Sequence, residues 1–376
     1  VMLSILLLQP IFSPCSAALA PTPRSTPTLA KPAALPKVPI KYPGDTDKTI
    51  VRRAEWIEEA QKEGTLIWWT TLRQPEIHSI IAEFNKVYPS IKVEYWRGEG
   101  EAIASKVEAE FNSGRHTVDI LQGGEPGNYP RWRKIGIMEK FTDIIPAIEK
   151  LDKRMYAKNN DWVAVASIIS SPTYNTKLIS AAEAPKSWED LLNPKWKGKL
   201  GVTTDMKVWT NLALGEGKSW GITKTEEFLI KLKKEQNLIF AASHPSGHAM
   251  VMSGEVAILA DNYVRFVLLD KEKDAPVEWV RVSPLSISGP SITLQKKAPH
   301  PNAARLFLEW LLSPQGLVLY EEKTRSGAAF PGTGTKTSKL VEGMPLVVRT
   351  EETLLKIQEL GLDEKFAGIL GVTSGQ

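Results

Sequence analysis

Hydrophobic residues follow two different periods in the first half of the chain. Between residues 50 and 63 they recur every three to four positions, which predicts an amphipathic helix that ends at Gly64. Residues 66–71 form a short apolar run that predicts a buried strand. The alternation continues with a helix between Pro75 and Pro89, a strand at 91–95, a helix at 101–111 and a strand at 118–121. Strands that alternate with helices are typical of a parallel, doubly wound α/β sheet.

The same alternation starts again in the second half of the chain. The predicted strands lie at 163–169, 200–203, 238–241 and 256–260, and helical spacing marks residues 302–312 and 351–360. This repetition predicts two α/β lobes, with the chain crossing between them more than once.

The first fifty residues differ in composition from the rest. An apolar run at 3–12 followed by a small-residue site at 18–20 predicts a secretory signal over residues 1–20. Residues 21–48 are rich in Pro and Ala, which predicts an extended tether. Cys15 is either the lipidated cysteine of a bacterial lipoprotein or an incidental residue of the signal. Either way the protein is expected to be exported, to the periplasm or to the outer face of the cytoplasmic membrane.

Composition narrows the class of function. The chain has 376 residues and a formal net charge of +4, from 47 basic and 43 acidic residues, which does not favour nucleic-acid binding. A single cysteine excludes a disulfide framework and a cysteine-cluster metal site. The sequence contains no HExxH, EF-hand, CxxC, GxGxxG or GxSxG motif, and its five histidines form no cluster with metal-ligand spacing. These features favour a binding protein over an enzyme.

Five segments, in the expected order, resemble the extracytoplasmic solute-binding proteins of ABC importers, specifically the ferric-iron-binding group. They are LIWWTT at 66–71, YWRGEGE at 95–101, SWEDLLNPKWKGK at 187–199, SGEVAI at 253–258, and APHPNAA with the following LLSPQG between 298 and 316.

The resemblance implies the type II periplasmic-binding fold, with two lobes, hinge strands between them and a ligand in the cleft. The first lobe is expected over residues 49–170 and 285–330, and the second over 171–284 and 331–376. The resemblance further implies a monomer that docks on the permease subunits of an ABC importer. A rival hypothesis is that the protein presents its ligand to a receptor kinase.

Open α/β sheets bind ligands at the carboxyl ends of their strands, and this rule selects the expected site residues. Those in the first half are Thr70, Thr71, Arg73, Glu99, Gly124, Ser170 and Ser171. Those in the second half are Thr204, Asp205, Asn262, Tyr263 and Arg265. One of the adjacent residues Trp68 and Trp69 is expected to stack on a ligand, and the other to lie in the core.

The sequence leaves two alternative ligands. The resemblance implies a transported ferric ion, with Tyr263, Glu99 and Asp261 as its ligands. However, Val264 stands where the family has a second tyrosine, and the family's histidine has no clear equivalent. The alternative is a small organic anion of the carboxylate or phosphonate type, because Arg73, Arg97 and Arg265 all fall near the expected cleft. No other cofactor is expected.

Overall fold

A computed structural model describes residues 37–123, 126–141, 152–328 and 335–373. The predicted signal, Cys15 and the first part of the predicted tether lie outside these residues. The helices are α1 (Asp47–Glu63), α2 (Gln74–Val87), α3 (Gly100–Asn112), α4 (Tyr129–Ile135), α5 (Lys207–Leu214), α6 (Ile222–Gln236), α7 (His244–Ser253), α8 (Val264–Lys271), α9 (Pro301–Leu311), α10 (Pro314–Thr324), α11 (Lys336–Leu340), α12 (Glu351–Glu359) and α13 (Leu362–Leu370).

The strands are β1 (Thr65–Thr70), β2 (Lys92–Arg97), β3 (Ile120–Gln122), β4 (Val163–Ala164), β5 (Ala166–Asn175), β6 (Leu200–Thr203), β7 (Glu216–Gly217), β8 (Ile239–Ala241), β9 (Ile258–Tyr263), β10 (Val277–Trp279), β11 (Leu285–Ser288), β12 (Ser291–Leu294), β13 (Gly327–Ala328) and β14 (Leu346–Val348). Within the described ranges, no helix is long and apolar enough to span a bilayer.

The first lobe is built on a five-stranded sheet in the order β2-β1-β3-β12-β4. β1 runs parallel to β2 and β3, and β12 runs antiparallel to β3 and β4. Trp68 on β1 is fully buried, with its ring centroid 5.2 Å from that of Phe307 on α9. Trp69 is also buried, against the edge of Trp96. Both tryptophans are core residues, which corrects the expectation that one of them stacks on a ligand.

The second lobe is built on a larger sheet with the main order β7-β14-β11-β5-β9-β6-β8. β6 runs parallel to β8 and β9, whereas the long strand β5 runs antiparallel to β9 and β11. The predicted two-lobe α/β class is thereby confirmed. The second sheet is mixed in direction, because β5 enters it from the first lobe opposite to its neighbours.

The two sheets are joined by short crossings that lie side by side. Val165 links β4 to β5, and residues 289–290 link β11 to β12. The backbone N–H of Val165 donates to the carbonyl of Pro290 at 3.0 Å. A Cβ added to Gly289 would lie 2.7 Å from Ala164 Cβ and 2.9 Å from Ala166 O, so the crossing requires glycine. The crossings lie within a few residues of the expected lobe boundaries at 170 and 285.

A buried ion pair binds the residues that precede α1 to the first lobe. Arg53 Nη2 lies 2.6 Å from Asp45 Oδ1, and Arg53 Nε lies 2.7 Å from Glu309 Oε2 on α9. Arg53 also donates to the carbonyl of Ile40 at 3.1 Å and lies over the ring of Tyr42. The last part of the predicted tether is therefore part of the folded lobe.

Candidate ligand cleft

Three helices of the second lobe begin at the carboxyl ends of parallel strands, where ligand sites form in open α/β sheets. His244, at the start of α7, places Nε2 3.2 Å from Asp205 Oδ2, which precedes α5. The His244 ring also stacks on Tyr263, with centroids 3.8 Å apart. Lys207 Nζ lies 3.3 Å from Asp205 Oδ2. Asp205, Lys207, His244 and Tyr263 are called the second-lobe cluster below.

The carboxylate of this cluster is already compensated. Burial alone would raise the pKa of Asp205, but Lys207 and His244 outweigh burial and hold the pKa well below its ordinary value. Asp205 is therefore ionised at neutral pH, and its charge is balanced within the cluster.

Asp261 is buried beside the cluster and faces the protein interior. It has no exposed surface, and it accepts hydrogen bonds from Thr203 N at 3.0 Å and Thr203 Oγ1 at 2.6 Å. Burial is the largest influence on Asp261 and raises its pKa. Thr204 is partly exposed and donates to the carbonyl of Ala242 at 3.3 Å. Asp261 therefore fixes the turn after β6, and its oxygens are directed to Thr203.

Three further predicted site residues belong to the interior of the second sheet. Asn262 Nδ2 donates to Thr173 Oγ1 at 3.0 Å. Ser171 is fully buried and donates to the backbone carbonyl that follows β10. Ser170 is buried and is paired with Tyr263 in the sheet. These three side chains are buried, whereas the side chain of Tyr263, their neighbour in the sheet, is partly exposed.

The carboxyl edge of the first sheet is held by a hydrogen-bonded chain. Thr70 Oγ1 donates to Gln122 Oε1 at 3.0 Å, and Gln122 Nε2 donates to the hydroxyl of Tyr320 on α10 at 2.8 Å. Thr70 is fully buried, whereas the next residue, Thr71, is partly exposed. Gly124 lies outside the described residues. Thr70 therefore shapes the edge, and Thr71 is the threonine that can face a solute.

Two arginines from different lobes converge on one carboxylate. Arg73 caps α2 in the first lobe, and its Nη2 lies 2.5 Å from Glu76 Oε1. Arg265 on α8 in the second lobe reaches the same oxygen at 3.4 Å. The side chain of Glu76 is 4% exposed and that of Arg265 is 19% exposed. Burial lowers the pKa of Arg265, and its buried Nε has no hydrogen-bond partner among the described residues.

A cavity of about 330 Å³ lies between the lobes beside this arginine pair. The first lobe contributes Arg73, Pro75, Glu76 and Ser79 from the start of α2, and Lys323 from α10. The second lobe contributes Phe266, Leu269, Asp270 and Lys273 from α8 and the turn that follows it. An occupant of this cavity would contact both lobes at once.

The structure places the three predicted metal ligands in different surroundings. Tyr263 lies in the second-lobe cluster, whereas Asp261 is bonded to the interior. Glu99 follows β2 in the first lobe, where it is exposed and pairs with Arg97 at 2.5 Å. Val264 is buried in the core. Among the described residues, no group of three or more His, Cys, Asp or Glu side chains is placed to hold a metal ion.

The sequence pattern does not predict three residues of the site, which are His244, Lys207 and Glu76. The sequence predicts no ligand role for His244, because Pro245 and Gly247 argue against a helix there. Proline is in fact compatible with the first turn of a helix, and α7 begins at His244. The carboxyl-end rule could have selected His244 and Lys207, because each follows a predicted strand. Glu76 had no comparable signal, since its partner Arg265 is 189 residues away.

The lobes also meet at a second place. Arg133 Nη1 on α4 lies 2.9 Å from Glu351 Oε1 at the start of α12. Trp162 Nε1 donates to Glu351 Oε2 at 2.6 Å, and Lys158 pairs with Glu352 at 3.0 Å. A cavity of about 430 Å³ lies beside these residues. This interlobe contact is called the α12 contact below.

Solved structures share the fold. Iron-bound HitA from Pseudomonas aeruginosa matches with a TM-score of 0.62 and 20% identity, covering 80% of this chain and 99% of HitA. The periplasmic binding protein AfuA from Actinobacillus pleuropneumoniae, with fructose-6-phosphate bound, matches with a TM-score of 0.65 and 19% identity, covering 82% of this chain and 99% of AfuA. At these identities the likeness establishes the type II periplasmic-binding fold.

Sequence comparison establishes the family. An uncharacterized protein of Haemophilus influenzae is 23% identical over 268 residues, which is 68% of this chain and 75% of that protein. The family model described as "Bacterial extracellular solute-binding protein" matches residues 69–317. The resemblance drawn from the five sequence segments is thus confirmed. The chain belongs to the bacterial extracellular solute-binding proteins, which serve ABC-type transporters as binding proteins and are not enzymes.

Proposed function

We propose that the protein captures a small organic anion of the carboxylate, phosphate or phosphonate type and delivers it to the permease of an ABC importer. The observation that supports this proposal is that Arg73 and Arg265, from different lobes, share the single carboxylate of Glu76. Among the described residues, this group of three side chains therefore carries one positive charge in excess.

The energetics favour an anionic ligand at this position. A guanidinium group does not deprotonate in proteins. Removing one partner of a buried ion pair destabilises a protein by about 3–5 kcal/mol, because the remaining charge is buried without compensation. Arg265 is mostly buried, and its Nε has no partner among the described residues. A carboxylate or phosphate oxygen that accepts from this Nε would offset that cost. The helices α2 and α8 both begin beside the pair, and their N-termini also favour negative charge.

The same geometry couples binding to closure. An anion between Arg73 and Arg265 interacts with both lobes only when the lobes are together. It therefore stabilises the closed form by its differential affinity for the two states. The closed form is the one that we expect to dock on the permease.

A ferric ion is the second candidate, and a different observation favours it. Tyr263, His244 and Asp205 bring a phenol, an imidazole and a carboxylate together, and oxygen and imidazole ligands suit hard or intermediate cations. HitA, described as iron-bound, shares the fold. Against this candidate, Lys207 already compensates Asp205, and a second cation would have to displace or tolerate that lysine.

Calorimetric titration of the purified protein separates the two candidates. We would titrate glycerol 3-phosphate, 2-aminoethylphosphonate and succinate into the parent protein, Arg265→Gln and the control Arg115→Gln. Arg115 is exposed and lies outside the cleft. We expect at least one anion to bind the parent and the control. Its affinity for Arg265→Gln should be about a hundredfold lower, because a charged hydrogen-bond partner is lost.

Ferric citrate is titrated in parallel, with Tyr263→Phe as the variant. A visible tyrosinate-to-iron absorption band in the parent that vanishes in Tyr263→Phe, together with no binding of any of the anions, would replace the anion proposal by the ferric one.

We also propose that the protein is held at the outer face of the cytoplasmic membrane through lipid on Cys15. Metabolic labelling of the expressing cells with a fatty acid should label the parent and leave Cys15→Ser unlabelled. An unlabelled parent would mean that Cys15 is an incidental residue of the signal.

Uptake of the bound anion that requires a permease and an ATPase, and no response of a receptor kinase, would favour import over sensing.

A further inference from the structure

We infer that the transported anion is elongated and carries negative charge at both ends, with an apolar middle. This inference rests on the proposed function and specifies the solute class that the interlobe cavity accepts. It follows from how charged and apolar side chains are distributed along α2, α8 and α10.

The first end of the cavity is the arginine pair. Arg73 lines it directly, and Arg265 approaches Glu76 from the second lobe. The starts of α2 and α8 lie at this end. One acidic group of the solute is therefore expected here.

The opposite end carries two lysines. Lys273 follows α8, and its Nζ lies 3.6 Å from Asp270 Oδ1. Asp270 is also bound by His248 Nε2 at 2.9 Å, so its charge is shared between two groups. Lys323 on α10 is partly buried and has no ion-pair partner among the described residues. Glu83 interacts electrostatically with Lys323, but it is bound by Lys86 at 2.8 Å.

The charge balance favours two negative groups on the solute. Four basic side chains, Arg73, Arg265, Lys273 and Lys323, surround the cavity, against the carboxylates of Glu76 and Asp270. Among the described residues the surplus is two positive charges, one near each end, because Glu272, which also interacts with Lys273, is paired with Arg325. A monoanion would leave one end uncompensated.

Between the two ends most of the lining is apolar, and the hydroxyl of Ser79, which also lines the cavity, donates to the carbonyl of Pro75 at 2.8 Å. Pro75 from the first lobe and Phe266 and Leu269 from the second supply this surface. The Arg265 guanidinium lies 4.7 Å from the Phe266 ring centroid. Arg265 and Lys273 are eight residues apart, about 12 Å along a helix axis at ~1.5 Å per residue. A chain of methylene groups, or a ring, suits this apolar middle.

A matched pair of probes tests the inference. Adipate carries a carboxylate at each end of a six-carbon chain, and hexanoate has the same chain with one carboxylate. We would measure the affinity of both for the parent protein by titration calorimetry, with succinate and suberate added to vary the length. We expect adipate to bind the parent about tenfold or more tightly than hexanoate, from two partly exposed ion pairs.

Removal of the lysines should abolish this preference. In the double variant Lys273→Gln/Lys323→Gln we expect adipate and hexanoate to bind with the same affinity, within about twofold, because only the arginine end remains. The control double variant Lys231→Gln/Lys234→Gln, on the exposed face of α6, should keep the preference for adipate.

The outcomes separate this inference from the proposed function. Equal binding of adipate and hexanoate to the parent, or an unchanged preference in Lys273→Gln/Lys323→Gln, would overturn the two-ended solute and leave the anion proposal standing. Binding of glycerol 3-phosphate without binding of adipate would have the same meaning. If no carboxylate, phosphate or phosphonate binds, both proposals fail.

Discussion

Single side chains carry the charge balance of the cleft, and Asp205 shows this most directly. Its carboxylate joins Lys207 and His244, and these partners hold its pKa below the ordinary value of 3.8 despite burial. Because the folded-state pKa is lower than the unfolded one, the ionised group stabilises the fold at pH values above about 4. That stabilisation is lost as the pH falls through the folded-state pKa.

We expect Asp205→Asn to lower the free energy of unfolding at pH 7 by about 1–2 kcal/mol, because Lys207 and His244 lose the negative charge of their acceptor. The difference from the parent should shrink at pH 3. Urea unfolding at the two pH values measures both effects, with the exposed Asp274→Asn as the control. A difference that is the same at both pH values would contradict the assigned pKa shift.

Secondary-structure elements bring these side chains together through a small number of tight contacts. Gly289, in the crossing between β11 and β12, has no space for a Cβ beside Ala164 and Ala166. We expect Gly289→Ala to lower the free energy of unfolding by about 1–3 kcal/mol, the usual cost of forcing an extra group into a packed site. The matched control is Gly368→Ala on α13, where a Cβ meets no atom within 4 Å. The control should stabilise the protein by about 0.5–1 kcal/mol.

Urea unfolding of the two variants and the parent gives this comparison. Equal stability of Gly289→Ala and the parent would show that the crossing can shift to admit a side chain.

The segment that precedes α1 is held by the ion pair of Arg53 with Asp45 and Glu309. Replacing one member leaves a buried charge without its partner, so we expect Glu309→Gln to lower the free energy of unfolding by about 3 kcal/mol. Glu255→Gln, an exposed change, is the control. Partial proteolysis should also cut Glu309→Gln before residue 47 faster than the parent, and equal cleavage rates would argue against this role of the ion pair.

How far the sequence predicts the molecule depends on the range of the contact. The strands and helices that frame the cleft follow from local period and from turn residues such as Gly64 and Pro75. The sequence predicts Tyr263 and Arg265 as site residues because they closely follow a predicted strand. The convergence of Glu76 and Arg265 depends on the docking of two lobes, and no local pattern encodes it. Asp261 and Ser171 satisfy the same carboxyl-end rule as Tyr263, but their side chains point into the interior, which only the strand pleat and register decide.

In the part of the chain that the structure describes, the two lobes touch at the arginine pair, at the α12 contact and at the ion pair of Arg325 with Glu272. The α12 contact joins Arg133 and Trp162 to Glu351. It lies outside the solute cavity of the proposed function, so its loss should act on closure alone. A change that weakens the closed state lowers the apparent affinity by the fraction of closed protein lost.

We expect Glu351→Gln to increase the radius of gyration of the unliganded protein in small-angle X-ray scattering. We also expect the affinity for the bound anion to fall by about three- to tenfold. Glu342→Gln, an exposed change on the turn after α11, is the control. An unchanged scattering profile together with an unchanged affinity would show that the α12 contact does not influence closure.

The arginine pair has a consequence for the solution around the protein. Because two guanidinium groups share one carboxylate, we expect a buffer anion such as chloride to compete with the solute for this position. The affinity should therefore fall as the chloride concentration rises, and it should fall less when chloride is replaced by a bulky anion that the cavity excludes. The binding constant of this protein is then a property of the solute and of the salt in which it is measured.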